Sequence, residues 1–285
     1  MKLWDWKFMR KFIEIFTKKT ERVCEGKGCK QSLHIGINDY PGRRNDLRGC
    51  VNDANSWEAL LKELYGFTTT KLLDQKATYK NVVREMKKIV ENATADSHVV
   101  ITFSGHGTNV RDVSGDEADK RDEALCLYDK LLIDDQLREI LGGLPEGASL
   151  TFISDSCHSG TVTRSFLSTL YDENAPKPRY LPPEDDEEVF EIAPKSVSKK
   201  VFSPEKMKEV LITGCNPTQY SYDARIGGKF QGAMTANAVA IIRSKPELTY
   251  NDFYKLLRKK LPSRQYPQTP QLEGKKDNLK KRMFT

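Results

Sequence analysis

Two short segments hold the residues best suited to chemistry: Ser104-Gly105-His106-Gly107-Thr108 and Asp155-Ser156-Cys157-His158-Ser159-Gly160. A thiol at its free pKa is largely protonated near neutral pH, so a nucleophilic cysteine needs a base to take its proton. An imidazole fills that role most often. His106 and Cys157 are therefore candidates for base and nucleophile. The reaction also creates an oxyanion that must be held. Glycines 105 and 107 let a backbone N–H approach a substrate closely, and the N–H groups of Gly107 and Cys157 would together form an oxyanion hole.

Each segment directly follows an apolar, β-branched run, Val99-Val100-Ile101-Thr102-Phe103 in one case and Leu150-Thr151-Phe152-Ile153 in the other. Such runs read as buried strands of a parallel sheet. Open α/β sheets carry their chemistry beyond the carboxyl ends of the strands, which is where both candidates fall. The rest of the chain alternates in the same way. A strand is expected over 32–37 and a helix over 52–65, with Ala54, Trp57, Leu60, Leu61 and Leu64 on one face and Gly66 closing it. Further helices are expected over 78–90 and 134–141, the latter ended by Gly142-Gly143. From Arg164 to about Pro204 the periodicity stops. Prolines 176, 178, 182, 183 and 194 and the acidic run 184–188 mark a flexible linker. A strand over 209–213 and helices near 233–243 and 250–260 follow. This order predicts a doubly wound parallel sheet.

The composition narrows the partners. The net charge of +6 is concentrated at the ends: residues 1–30 carry nine Lys/Arg against four Asp/Glu, and residues 274–285 carry five against one. The body is mildly acidic, which argues against a nucleic-acid-binding face. Residues 3–19 read as a basic amphipathic helix. It either packs on its own domain or makes a peripheral membrane or partner contact through residues 1–20. No apolar stretch approaches a membrane span. Asp5, Lys7, Arg10 and Glu14 interrupt the N-terminal apolar residues, unlike a secretory signal. With six scattered cysteines, the expectation is a cytoplasmic protein with free thiols. Cys24 and Cys29 read as surface thiols rather than half a metal site.

His106 and Cys157 lie 51 residues apart, close to the roughly 50 expected of caspases. The sequence around the cysteine is of a different type. SGHGT and DSCHSG resemble the histidine and cysteine motifs of metacaspases, caspase-like cysteine peptidases. The resemblance continues in GCVNDA (49–54), in TGCNPTQYSYDA and GGKFQGAMT (213–235), and in QTPQLEG (268–274). It spans about residues 30–274. It implies a caspase-like three-layer α/β/α sandwich with a central, mostly parallel sheet. It also implies a large-subunit-like catalytic region over 31–163 and a small-subunit-like region over 205–274 of the same domain. These are flanked by the N-terminal extension 1–30, the linker 164–204 and a basic tail 275–285.

The same resemblance makes His106 the general base and Cys157 the nucleophile. It assigns Asp155, Asp53, Cys50 and Ser104 to an S1 pocket that accepts arginine or lysine of a protein or peptide substrate. Two carboxylates facing a concave site attract a cation and repel an aspartate side chain. Many metacaspases need calcium, for which the best matches are Asp122, Asp134 and Asp135, with Asp119 in the acidic loop before them. The alternative is a solvated acidic loop in which Asp134 caps its helix. A monomer is expected, and the basic residues of the linker, Arg164, Lys177, Arg179, Lys195, Lys199 and Lys200, suggest self-cleavage there. His158, His34 and His98 read as structural, and Cys126 and Cys215 as small core residues. The competing class is a silent caspase-like scaffold. Retention of both His106 and Cys157 speaks against it.

Overall fold

The computed structural model describes residues 28–42, 45–111, 121–157, 175–182, 191–192 and 207–285. The expected helix at 3–19, His158, Asp119 and most of the linker lie outside them. Strand β1 (Lys30–Gly36) is followed by helix α1 (Cys50–Tyr65), strand β2 (Thr68–Leu73) and helix α2 (Tyr79–Glu91). Next come β3 (His98–Ser104), then β4 (Gly107–Arg111), β5 (Arg121–Cys126) and β6 (Lys130–Ile133), then α3 (Asp134–Gly142) and β7 (Ser149–Asp155). After β8 (Lys177–Pro178) and β9 (Glu191–Ile192) the chain forms β10 (Val210–Thr213), β11 (Tyr222–Ile226) and β12 (Lys229–Gly232). It ends with α4 (Ala233–Ser244), α5 (Tyr250–Arg258), β13 (Gln271–Glu273) and α6 (Lys276–Leu279).

The central sheet has the order β13-β10-β7-β3-β1-β2. It is parallel except for β13, which runs antiparallel to β10. Side chains alternate between the faces of a strand, and β3 is apolar on both. Val99, Ile101 and Phe103 enter one core with Val82, Met86 and Ile89 of α2 and Ile140 and Leu141 of α3. Val100 enters the other with Trp57, Leu60 and Leu61 of α1, Ile241 and Ile242 of α4 and Phe253 of α5. A sheet apolar on both faces must be covered on both, and the result is a caspase-like α/β/α sandwich.

Local signals end the helices close to where the sequence placed them. Gly66 closes α1 at φ 71°, its N–H donating to the Leu61 carbonyl. Thr78 caps α2 by accepting the Asn81 N–H at 3.3 Å. Helix α3 differs: Ile133 is the N-cap residue, and Gln136 Oε1 accepts its N–H at 3.4 Å, so Asp134 lies in the first turn rather than capping. His34 is structural. It is buried between Ser32 Oγ (2.8 Å) and Thr102 Oγ1 (2.9 Å), and burial pushes its pKa down to about 3. His98 Nδ1 meets Ser149 Oγ at 2.7 Å, joining the start of β3 to that of β7.

Two expectations are corrected. Residues 275–285 are not a free basic tail, because Met283 and Phe284 are buried and Phe284 packs edge-on against Tyr65, Phe67 and Tyr250. Cys29 is disulfide-bonded, whereas Cys50, Cys126, Cys157 and Cys215 are free thiols. No described helix is long and apolar enough to cross a membrane.

Candidate active site

The register of the sheet brings the two candidate residues together. Ser104, the last residue of β3, pairs with Asp155, the last residue of β7. His106 and Cys157 each stand two positions beyond that pair, so both emerge at the same level of the sheet. Gly105 makes the histidine's turn possible. A Cβ there would lie 2.6 Å from the Tyr40 hydroxyl and 2.8 Å from the Phe103 ring.

Three contacts hold His106. Its N–H donates to Tyr40 Oη at 2.9 Å, and that hydroxyl donates in turn to the Cys126 carbonyl at 3.0 Å. The Tyr40 ring lies 4.9 Å from the imidazole. Nε2 is 2.7 Å from the Asn45 carbonyl oxygen. A carbonyl can only accept, so Nε2 carries the proton and Nδ1 presents its lone pair. Nδ1 is buried and has no hydrogen-bond partner. Burial lowers the imidazole pKa to about 3, against the opposing effect of the Asn45 hydrogen bond, so the ring is a neutral base. Asn45 left no trace in the sequence pattern because it acts through its backbone.

A segment of the chain occupies the ground in front of this pair. Arg179, which falls within the expected linker, is fully buried. Its carbonyl oxygen accepts the N–H of Gly107 at 3.0 Å and the N–H of Cys157 at 3.1 Å. Its own N–H donates to the Ser221 carbonyl at 2.9 Å. Its guanidinium Nη2 lies 2.6 Å from Asp53 Oδ2, and Nη1 lies 3.4 Å from Asp155 Oδ2 and 2.9 Å from the Asp155 carbonyl. On one side of Arg179, β8 pairs antiparallel with β11. On the other, Leu181 N–H donates to the Gly107 carbonyl at 3.0 Å. Residues 175–182 are therefore seated across the sheet's carboxyl edge by backbone hydrogen bonds that a proline-rich composition does not advertise.

The four expected pocket residues gather around the guanidinium to different degrees. Asp53 faces it from the first turn of α1, where it also accepts the Gly232 N–H at 3.0 Å. Burial pushes its carboxyl up to about 7, with Arg179 opposing and Asp155 adding to the rise. Asp155 is held by the Thr235 N–H (2.9 Å) and hydroxyl (2.7 Å) and by the Ser221 hydroxyl. Cys50 is buried at the start of α1, and burial raises its thiol pKa while Arg179 opposes. Ser104 is buried in the ladder opposite Asp155. Gly232 supplies a wall that sequence reasoning missed. A Cβ there would lie 2.2 Å from Asp155 Oδ2 and 2.6 Å from Arg179 Nη1. Ser221, Thr235 and Gln268 complete the support, with Gln268 Nε2 donating to the Gly214 carbonyl at 2.7 Å.

Around Cys157 the sulfur accepts the Ser221 N–H and lies 3.4 Å from the Ser221 carbonyl oxygen. Cys215 is a buried core residue as expected, and it is also the neighbour of Cys157. A hydrogen bond with Cys157 and burial raise the Cys215 thiol pKa.

The chain as a whole is similar to known proteins. The caspase-domain family matches residues 29–280 of the chain. Metacaspase-1 of Debaryomyces hansenii is 30% identical over 289 residues, covering 87% of this chain and 65% of that protein. Metacaspase-1 of Candida glabrata is 30% identical with 87% and 73% covered. The chain belongs to the metacaspases. A solved structure, protein GSU0716 of Geobacter sulfurreducens, is similar at a TM-score of 0.70 and 28% identity, covering 91% of this chain and 99% of that one. This metacaspase sequence spans about two thirds of the length of the curated relatives it matches.

The acidic residues expected to hold calcium are only partly brought together. Burial pushes the Asp134 carboxyl up to about 7, with Arg138 opposing and Asp135, Glu123 and Asp122 adding to the rise. Arg138 already stands 3.1 Å from Asp134. Among the described residues no three His, Cys, Asp or Glu side chains converge to hold a metal.

Proposed function

We propose that this metacaspase is an endopeptidase that cleaves after arginine, and less well after lysine, and that its first substrate is its own Arg179–Tyr180 bond. One observation carries the reading. The Arg179 guanidinium lies between Asp53 and Asp155 while its carbonyl oxygen accepts both the Gly107 and the Cys157 N–H. A side chain in a charge-matched pocket and a carbonyl on two donors are the two requirements of a bound substrate. Arginine reaches the two aspartates with separate nitrogens of one planar fork. Lysine offers a single point charge, hence the order of preference.

In this mechanism Cys157 Sγ attacks the carbonyl carbon of the arginine as its proton passes to His106 Nδ1. The oxygen takes the developing negative charge on the Gly107 and Cys157 N–H groups. The C–N bond breaks, and the leaving amine takes the proton back from Nδ1. Water then attacks the thioester, giving its proton to Nδ1, and the S–C bond breaks to free the carboxylic acid and the thiol. The Asn45 carbonyl keeps the imidazole in the tautomer that both halves need.

Calcium belongs to this reading as an activator. Asp122, Asp134 and Asp135, with Asp119 from outside the described residues, would hold it, and the Arg138–Asp134 pair would open. The bound ion would supply positive charge beside Asp134, whose carboxyl pKa is raised by burial first and then by Asp135, Glu123 and Asp122. A monomer belongs to the same reading, as the family resemblance implies.

The test is incubation of the full chain with calcium or with chelator, followed by mass spectrometry. Wild type should yield residues 1–179 and a fragment beginning at Tyr180, and Cys157→Ala should yield neither. A wild-type chain as intact as Cys157→Ala in both conditions, together with no hydrolysis of arginyl peptides, would overturn the proposal. Cleavage that is equal in calcium and chelator would remove only the ion.

A further inference from the structure

We infer that Tyr220 is a specificity-determining residue that selects an aromatic side chain immediately after the cleaved bond, with an aliphatic one next to it. The inference rests on the reading of Arg179 as the residue whose carbonyl is attacked. The two residues that follow it are then Tyr180 and Leu181, and both are buried, at 9% and 3% exposure. The residues on the other side, Lys177 and Pro178, are only half-buried. Beyond the arginine itself, side-chain recognition in this site is therefore concentrated after the bond.

The Tyr180 ring lies 6.0 Å from the Tyr220 ring at an interplanar angle of 50°, within the range of favourable aromatic pairs. The two tyrosines pack with Cys157 and Cys215 in one small cluster. Tyr220 is near the nucleophile itself: burial and then Cys157 raise its phenol pKa. It also directly precedes Ser221, whose carbonyl accepts the Arg179 N–H and whose N–H meets Cys157 Sγ. One short segment between β10 and β11 thus touches the substrate backbone before the bond, the sulfur, and the side chain after it. Leu181 enters the larger core, and its N–H is fixed on the Gly107 carbonyl at 3.0 Å. Gly107 in this way contacts both sides of the bond, with its N–H on Arg179 and its C=O on Leu181. An aromatic ring against Tyr220 therefore aligns the leaving-group side as the two N–H donors align the carbonyl.

The test is a double-mutant cycle on self-cleavage of the full chain, with a parallel set of peptides. Tyr180→Ala and Tyr220→Ala should each slow the appearance of the 1–179 fragment by about tenfold, and the double variant should be no slower than either. Tyr220→Phe, which keeps the ring, should cleave near the wild-type rate. In trans, peptides Pro-Arg-Xaa-Leu should be cut about tenfold faster with tyrosine than with alanine or aspartate at Xaa. That ratio should fall to about one in Tyr220→Ala while arginine is still preferred over aspartate before the bond. Multiplying effects in the double variant, or equal rates for tyrosine, alanine and aspartate, would overturn the inference and leave arginine cleavage standing. Absence of any cleavage after arginine, in cis or in trans, would instead sink the proposed function on which it rests.

Discussion

Asp53 sets the acid limit of the site. With Arg179 in place, burial pushes its carboxyl up to about 7, and only the ionised form attracts a guanidinium. As pH falls below about 7 the fraction of ionised Asp53 falls, so KM for an arginyl peptide should rise. His106, lowered to about 3 in the filled site, stays neutral over that range and adds no acid limb of its own. Measuring KM against pH checks this, and Asp53→Asn should flatten the profile. The same variant should lose roughly 100- to 1,000-fold in kcat/KM toward arginyl peptides, since it leaves a buried cation short of a partner. At this scale His106 and Cys157 stood out as candidates by side-chain type and context, Asp53 and Asp155 were singled out by the family resemblance alone, and the structure sets those two carboxylates beside the Arg179 guanidinium. Asn45 and Ser221 did not stand out, because they act largely through backbone groups that any residue could supply. Arg179 was visible only as one basic residue among several in a linker. Its role follows from its neighbours in space.

At the scale of elements, the parallel strands β1, β3, β7 and β10 announced themselves by apolar residues, whereas the parallel edge strand β2, with the sequence TTTKLL, and the short antiparallel strands did not. Strands β4 to β6 and the β11–β12 hairpin mix polar and apolar residues over four to six positions, too few for a period to stand out. Yet the hairpin delivers Gly232, which stands against Asp155 and the Arg179 guanidinium. Gly232→Ala would put a methyl group against Asp155 and Arg179, and we expect about a hundredfold loss in kcat/KM on arginyl peptides with the fold retained. Strand β1 carries a different liability. The folded pKa of His34, about 3, lies below its unfolded value of 6.5. Between those values the unfolded chain binds more protons, so stability falls as pH falls. From pH 7 to 5.5 the loss from this group is about 1 kcal/mol. Urea midpoints across that interval should shift less in His34→Gln than in wild type.

At the scale of the molecule, the two regions separated by the linker share one sheet and one core. Strand β10 lies between β7 and β13, and the core beneath it joins Trp57 and Leu61 from before the linker to Phe253 and Leu257 from after it. Fragments 1–179 and 180–285 should therefore elute together from a gel-filtration column and separate only in denaturant. The C-terminal residues belong to the same body. Phe284→Ala should cost about 3–5 kcal/mol of stability, read by chemical denaturation. Sequence alone hid this because Met283 and Phe284 follow a run of lysines and an arginine that reads as a solvated tail.

On the proposed reading, the seat of Arg179 also governs how the intact protein meets other substrates. A tethered side chain faces Asp53 and Asp155 at an effective concentration on the order of millimolar. An added peptide competes against an occupant that dilution cannot remove. Self-cleavage should accordingly be first order, with a half-time unchanged when the protein is diluted. Hydrolysis of an added arginyl peptide should begin only after a lag, and the length of that lag should track the disappearance of the uncut chain.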